Sequence, residues 1–390
     1  MRIAHYLYTS SEEVYGGEKS SLNFIEQLAE RHSVTVILYG ESNLIDHLEE
    51  RDIDFEVISP EGPVPDAYRE LKSTREGHSK WLTMARYNFR LWKYLRQEDF
   101  DLIHYNNIFG FLLTHPAVTM DRLPTVLHIR TKPQGTPWYW RVSLARADRC
   151  ICVSDGVVKG LEEHLPAYLW NRVKGKTTRI HNPVRVDTAK QFLEDNDRSA
   201  LRRQLGFTAE EFAIGYIGSI DERKNQFSFL KDIVVPAVKR CPDVRFYFLG
   251  GTKQNEYERK CKDFVVEKGI SDAVTFAGYQ SNIFEWYTSL DAIALYSHRE
   301  GLPRAVLEGM AFGLPVVTNR TTGVDEIITD RKDGFIVEKP ATFVNRLEEL
   351  VNNDQLQKKM EKEAKETIGR SFSVTELSSR LEQVYADTIL

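Results

Sequence analysis

The sequence predicts an α/β protein of two halves, each a parallel sheet carrying helices on its faces. Three observations carry that expectation. Short β-rich runs alternate with longer amphipathic runs, which is the pattern of βαβ crossovers. The alternation stops near residues 182–198 and then restarts, so one half ends and another begins there. A chain of 390 residues is also longer than one core usually organises. Apolar residues make up 42% and charged residues 28%, a globular balance that excludes collagenous, disordered and disulfide-scaffold classes.

Taken in order, the first strand is expected at 2–8, where Arg-Ile-Ala-His-Tyr-Leu-Tyr is β-rich. Further strands follow at 33–39, 53–58, 101–105, 124–129, 149–153 and 177–181. Amphipathic stretches such as Lys19 to Arg31 and Lys80 to Arg96 read as the crossover helices between them. At His181-Asn182-Pro183-Val184 the pattern breaks, and a polar stretch through Asp197 reads as the linker. Strands resume at 212–218, 244–250, 273–277, 291–296, 314–318 and 334–337. Helices at about 340–352, 354–369 and 374–389 close the chain. Ligands of such sheets bind at the carboxyl ends of the strands, so the loops there are where function is sought.

Composition narrows the classes. The 52 Lys and Arg against 57 Asp and Glu leave a net charge of −5, which argues against a nucleic-acid binder. Cys150 and Cys152 sit two apart in an apparent strand with no C-x-x-C spacing, while Cys241 and Cys261 stand alone. All four read as reduced structural thiols. The N-terminus lacks the pattern of a signal peptide, and no window reaches the length of a membrane span. The expected location is cytoplasmic, with peripheral contact on the cytosolic face of a membrane left open.

Three loops carry candidate chemistry. After the first strand, Gly16-Gly17-Glu18-Lys19 opens a helix; paired glycines let backbone approach an anion, although a plain turn would look the same. The spacing is not that of a dinucleotide fingerprint. After the strand Ala213–Ile217, Gly218-Ser219-Ile220-Asp221-Glu222-Arg223-Lys224 places two cations beside a helix start. That suits a diphosphate; the alternative is a solvated charge pair. The third loop is Ser297-His298-Arg299-Glu300-Gly301-Leu302-Pro303-Arg304-Ala305-Val306-Leu307-Glu308. Pro303 suits the first helical position, which leaves Glu300 in the loop and Glu308 beyond the first turn of the helix. Two such carboxylates can hold sugar hydroxyls on either side of a diphosphate bound at 301–305. The alternative leaves Glu308 as a surface helix residue.

Glu300 to Glu308 is an E-x7-E spacing. With Gly16-Gly17-Glu18, Gly218…Arg223-Lys224, Ala311-Phe312-Gly313-Leu314-Pro315 and Gly323-Val324-Asp325-Glu326, it resembles the retaining glycosyltransferases of family 4. The resemblance runs in order along the chain and is strongest over 213–337. It implies the GT-B fold, two Rossmann-like domains with a cleft between them. Residues 1–182 would bind the acceptor, with the C-terminal helix 373–390 packing back on them, and 183–372 would bind the nucleotide sugar. By resemblance, Arg223 and Lys224 neutralise the diphosphate beside Gly218, Gly301 and Leu302. Glu300 contacts donor-sugar hydroxyls, Glu308 holds the ribose, and Tyr279 lies where the family contacts the base. His128 matches a histidine that faces the donor sugar in many members, though a lone histidine at a strand end can equally be a packed polar residue. Two departures stand out. The chain has Glu300-Gly301-Leu302-Pro303-Arg304 where Glu-Gly-Phe-Gly is frequent, and Asn182-Pro183-Val184-Arg185 where Asn-Gly-Val-Asp is frequent.

The implied activity is transfer of a sugar from a UDP- or GDP-sugar to a glycan or lipid-linked acceptor, as in cell-surface polysaccharide synthesis, with no cofactor and no metal. Asp-x-Asp occurs at 52–54, 99–101 and 195–197, but the first two precede strands and the third lies in the linker. A sugar-nucleotide epimerase on the same fold and a non-catalytic sugar-binding protein are the alternatives. The stretch 80–97 places Trp81, Met84, Asn88, Leu91 and Leu95 near one helical face with Lys80, Arg86, Arg90, Lys93 and Arg96 around it. It reads as a crossover helix or as a contact with an anionic membrane.

Overall fold

The computed structural model describes residues 1–8, 16–61, 77–133, 135–252 and 254–390; at 77–81 and 121 it describes backbone alone. Val14 and Tyr15, and the side chains of Lys80 and Trp81, lie outside the described residues. The chain divides into two compact units, Met1–Pro183 with Val374–Leu390, and Val184–Ser373.

Among the described residues the first unit has seven strands: β1 (Arg2–Leu7), β2 (Ser33–Leu38), β3 (Phe55–Val57), β4 (Leu102–Tyr105), β5 (Thr125–Ile129), β6 (Arg149–Cys152) and β7 (Thr177–Arg179). They pair in parallel in the order β3-β2-β1-β4-β5-β6-β7. In β1 every residue but the first is buried, and in β4 and β5 all are. Helices on both faces of a parallel sheet demand this, and it is why these strands read as near-continuous apolar runs. The last helix, Val374–Ile389, adds Leu377, Leu381, Val384 and Tyr385 to the core around Ile3, Leu28 and Val126.

The second unit holds β8 (Phe212–Ile217), β9 (Val244–Leu249), β10 (Val274–Gly278), β11 (Ala292–Leu295), β12 (Val316–Asn319) and β13 (Phe335–Val337). Their order is β10-β9-β8-β11-β12-β13, again parallel. Phe229, Phe246, Phe248 and Phe343 fill the core beside the sheet. The strand order reverses between β8 and β11, and that topological switch point is where doubly wound sheets open a crevice for ligands.

One expectation needs correcting. The stretch after Pro183 is not an irregular linker: Val186–Asp195 and Arg198–Gln204 are helices of the second unit. Ala189 is buried, and Phe192 meets the rings of Phe284 and Phe312 at 5.6 and 6.3 Å. Four apolar residues, Val186, Ala189, Phe192 and Leu193, among six polar ones are enough to dock a short helix, and so short a stripe is hard to read in the sequence.

Candidate active site

The loops after β8 and β11 meet at the switch point of the second unit. Asp221 organises the first: its Oδ1 accepts the Lys224 backbone N–H at 2.8 Å and its Oδ2 accepts the Ser219 hydroxyl at 2.6 Å. Asn225 takes a left-handed φ of 60°, tolerable for asparagine, and turns the chain into the helix that starts at Gln226. The buried Tyr216 hydroxyl accepts the Tyr296 N–H at 3.1 Å and donates to the Lys224 carbonyl, tying the two loops together. Gly250, at φ +153°, passes so near that a Cβ there would lie 2.2 Å from the Gly218 carbonyl oxygen.

Within this frame Glu300 faces both cations. Its Oε1 accepts from Lys224 Nζ at 2.8 Å, and its Oε2 lies 3.5 Å from Arg223 Nη1. Arg223 Nη1 also donates to the Arg299 carbonyl at 3.3 Å, and its Nη2 stands 3.6 Å from Asp221 Oδ2. Gly218, Arg223, Lys224 and Glu300 therefore form one cluster. Gly301 and Leu302 follow directly, and the loop after β12 closes on them. A Cβ on Gly323, itself at φ +80°, would sit 2.4 Å from the Gly301 carbonyl oxygen.

Glu308 lies in the second turn of the helix Arg304–Ala311. Its Oε1 accepts from Arg304 Nε at 2.6 Å and its Oε2 from the Tyr287 hydroxyl at 2.8 Å. At 15% side-chain exposure it is not the solvated helix residue of the alternative reading. Burial and the Glu308 charge push the Tyr287 hydroxyl far above the phenol range, so it stays protonated and donates. Tyr279 follows Gly278 at the carboxyl end of β10 and is 40% exposed.

The remaining candidates belong to the first unit. Its first helix, Gly16–Ala29, begins at Gly16; a Cβ on Gly17 would meet Arg130 Cδ at 3.5 Å, an ordinary contact. His128 is buried on β5, its ring stacked on His104 at 5.4 Å. Its Nδ1 lies 3.3 Å from His104 Nε2 and 3.4 Å from Arg130 Nη2. Burial first, then the Arg130 charge, hold its pKa well below 6.5, so the ring is neutral. Arginine only donates, which makes Nδ1 the acceptor and puts the proton on Nε2. That Nε2 has no hydrogen-bond partner among the described residues. Arg130 further donates to Asn106 Oδ1 and Asn182 Oδ1, both at 2.7 Å, and to Ser21 Oγ at 2.9 Å.

Sequence reasoning missed Asp221, Tyr216 and Tyr287 as parts of the site. The Asp221–Lys224 spacing of a side chain capping a backbone N–H three residues on was available as a signal. Tyr287 had none, because it meets Glu308 across 21 residues. The Asp-x-Asp motifs fall away from the carboxyl ends. Asp101 Oδ2 accepts the Arg2 N–H at the start of β1, and Asp197 caps the helix Arg198–Gln204. Among the described residues no three or more His, Cys, Asp or Glu side chains gather as a metal site.

Two family models match this chain: Glycosyltransferase Family 4 over residues 14–188, and Glycosyl transferases group 1 over 197–367. Together they span both units. The chain belongs to the family 4 glycosyltransferases. This glycosyltransferase is 28% identical over 229 residues to EpsD of Bacillus subtilis (strain 168), named as a glycosyltransferase, the match taking in 58% of each chain. It is 26% identical over 251 residues to the lipopolysaccharide core biosynthesis glycosyltransferase LpsE of Rhizobium meliloti (strain 1021), covering 63% of this chain and 66% of that one. The chain thus spans less than two thirds of the length of these relatives. Among solved structures, Anabaena HepE in complex with UDP matches 99% of this chain and 100% of its own, with a TM-score of 0.79 at 19% identity. That likeness is one of fold, and the fold is GT-B. HepE has also been solved with UDP and glucose and with UDP-glucose.

Proposed function

We propose that this glycosyltransferase moves a sugar, with retention of anomeric configuration, from a UDP- or GDP-sugar to a glycan or lipid-linked acceptor in cell-surface polysaccharide synthesis. One observation carries the reading: Arg223 and Lys224 meet the buried carboxylate of Glu300 at the switch point of the second unit. Two fixed cations suit a leaving diphosphate, and a carboxylate suits the sugar it leaves. The UDP and UDP-glucose complexes of HepE support the donor class, and the name of LpsE supports the polysaccharide setting.

The chemistry follows from charge. As the bond from the anomeric carbon to the diphosphate breaks, negative charge grows on the leaving oxygen and positive charge on the carbon. Arg223, Lys224 and the backbone around Gly301 and Leu302 stabilise the first, without need of a metal; Glu300 stabilises the second. The acceptor hydroxyl attacks from the face the diphosphate leaves and passes its proton to a diphosphate oxygen, which retains the configuration. Glu308 takes ribose hydroxyls and Tyr279 lies at the base. The second unit is thereby assigned to the donor and the first, opened by Gly16 and Gly17, to the acceptor.

The test is a screen of UDP- and GDP-sugars for slow hydrolysis in EDTA, with released diphosphate measured. Release of one diphosphate with chelator present is the expected result. No release from any nucleotide sugar would overturn the donor assignment. Activity lost in EDTA and restored by Mn²⁺ would overturn the metal-free chemistry, and an inverted product anomer the retaining path.

A further inference from the structure

Resting on the donor site just proposed, we infer that Glu300 sets how much more tightly the site holds donor than spent nucleoside diphosphate, by exchanging between Lys224 and the transferred sugar. The first partner of that exchange is already in place. The Lys224 and Glu300 side chains are 11% and 8% exposed and their N···O distance is 2.8 Å. Among the described residues, the Lys224 ammonium has no hydrogen-bond or ion-pair partner besides Glu300. Arg223, 36% exposed, makes the longer contact of 3.5 Å to the other oxygen and reaches Asp221 as well. Two cations therefore face two carboxylates, and the cluster is not a bare phosphate cradle.

A diphosphate arriving alone meets a lysine already committed. Its anionic oxygens also come to lie beside the Glu300 carboxylate, and like charges in a partly buried site repel more strongly than in water. A donor that still carries its sugar differs in one respect. Sugar hydroxyls donate to Glu300 and occupy the lone pairs that Lys224 holds, so the ammonium turns to the diphosphate. Lys224 needs little movement for this, because its Nζ already lies over Gly218, 3.2 Å from where a Cβ would stand. Once the sugar has gone to the acceptor, Glu300 loses those donors, returns to Lys224, and the product diphosphate is held less tightly. The same carboxylate thus stabilises charge during transfer and favours release after it.

Calorimetry with free UDP and GDP, and with UDP-glucose, tests this on the wild-type chain, Glu300→Gln and Glu300→Asp. Glu300→Gln should bind its free diphosphate about tenfold more tightly than wild type, while the preference for the sugar nucleotide over the free diphosphate falls. Glu300→Asp, whose shorter side chain draws back from Lys224, should shift in the same direction by less, and serves if the Gln variant does not fold. With Lys224→Gln already present, adding Glu300→Gln should bring a smaller gain, since only the carboxylate's repulsion of the diphosphate is then relieved. Unchanged or weaker diphosphate binding by the Glu300 variants, with wild type binding normally, would overturn the exchange alone. No diphosphate binding by any of these proteins would overturn the donor site and the exchange with it.

Discussion

Glu308 shows how one residue is prepared for its work by neighbours that a motif does not reveal. Arg304 stands at the first position of its helix, where the dipole disfavours a cation, and the Arg-to-Glu order four residues apart is the weaker orientation. Local stability does not explain such a placement; orienting the Glu308 carboxylate does. Arg304 donates to Oε1 and Tyr287 to Oε2, and the two together fix the plane of the carboxylate. Tyr287→Phe keeps the ring and its stacking on Phe312 but removes the hydroxyl that donates to Oε2. Donor affinity should fall by about 1–1.5 kcal/mol, roughly tenfold, as a raised KM with kcat little changed, since ribose does not change during reaction. The control is 2′-deoxy-UDP, against which the advantage of UDP should shrink in the variant. An unaltered ratio would mean that Tyr287 only packs. The E-x7-E spacing was legible because both carboxylates sit on one short loop-and-helix segment. Tyr287 was not, because no local spacing encodes a contact made by a different helix.

Among the elements, the thirteen strands stand within a residue or two of where the sequence places them. A strand buried on both faces must be apolar along its length, and loops of glycine, proline and asparagine bound it. Helix faces are harder, because periodicity shows a stripe without saying what covers it. In the helix Gly77–Glu98 the stripe of Asn88, Leu91 and Leu95, joined by Thr83 and Tyr87, is the buried one, with Met84 half-buried. The opposite face exposes Leu82 at 60% and Phe89 at 57%, among exposed Arg86, Arg90, Lys93 and Arg96. Large apolar groups set among cations suit an anionic lipid surface better than the core-facing stripe does. No described helix is long and apolar enough to cross a membrane. Each cation near such a surface contributes about 1 kcal/mol, screened by salt within a Debye length. Flotation with phosphatidylglycerol vesicles should therefore be seen at low salt, fade at high salt, and be lost when Arg86, Arg90 and Lys93 are made Gln. Flotation indifferent to those changes would return the helix to a purely structural role.

At the scale of the whole molecule, the last helix of the chain closes over the first sheet through a row of titratable groups. The Tyr385 hydroxyl meets His5 Nε2 at 3.2 Å and also His104 Nδ1, and His104 passes the row to His128. All three histidines are buried on the central strands β1, β4 and β5. Burial, reinforced by the charge of Arg130, lowers the pKa of His5 to about 3 and those of His104 and His128 well below 6.5. The sign follows directly. Below pH 6.5 the unfolded chain takes up protons that the folded row refuses, so stability is complete above 6.5 and is lost as pH falls toward the folded values. At pH 5 the loss from His5 is about 2 kcal/mol, and His104 and His128 add to it in the same direction. The window from pH 7 to 5 lies above most carboxylate titration, so histidines dominate it. Five of the six tryptophans lie in the first unit, which makes tryptophan fluorescence a report on that unit's unfolding. The urea midpoint of that transition should drop steadily from pH 7 to pH 5. In His104→Asn, which keeps a polar group for Tyr385 but cannot titrate, the drop should be smaller. A midpoint that is level across this range, or a variant that follows wild type throughout, would show that the row does not bind protons on unfolding.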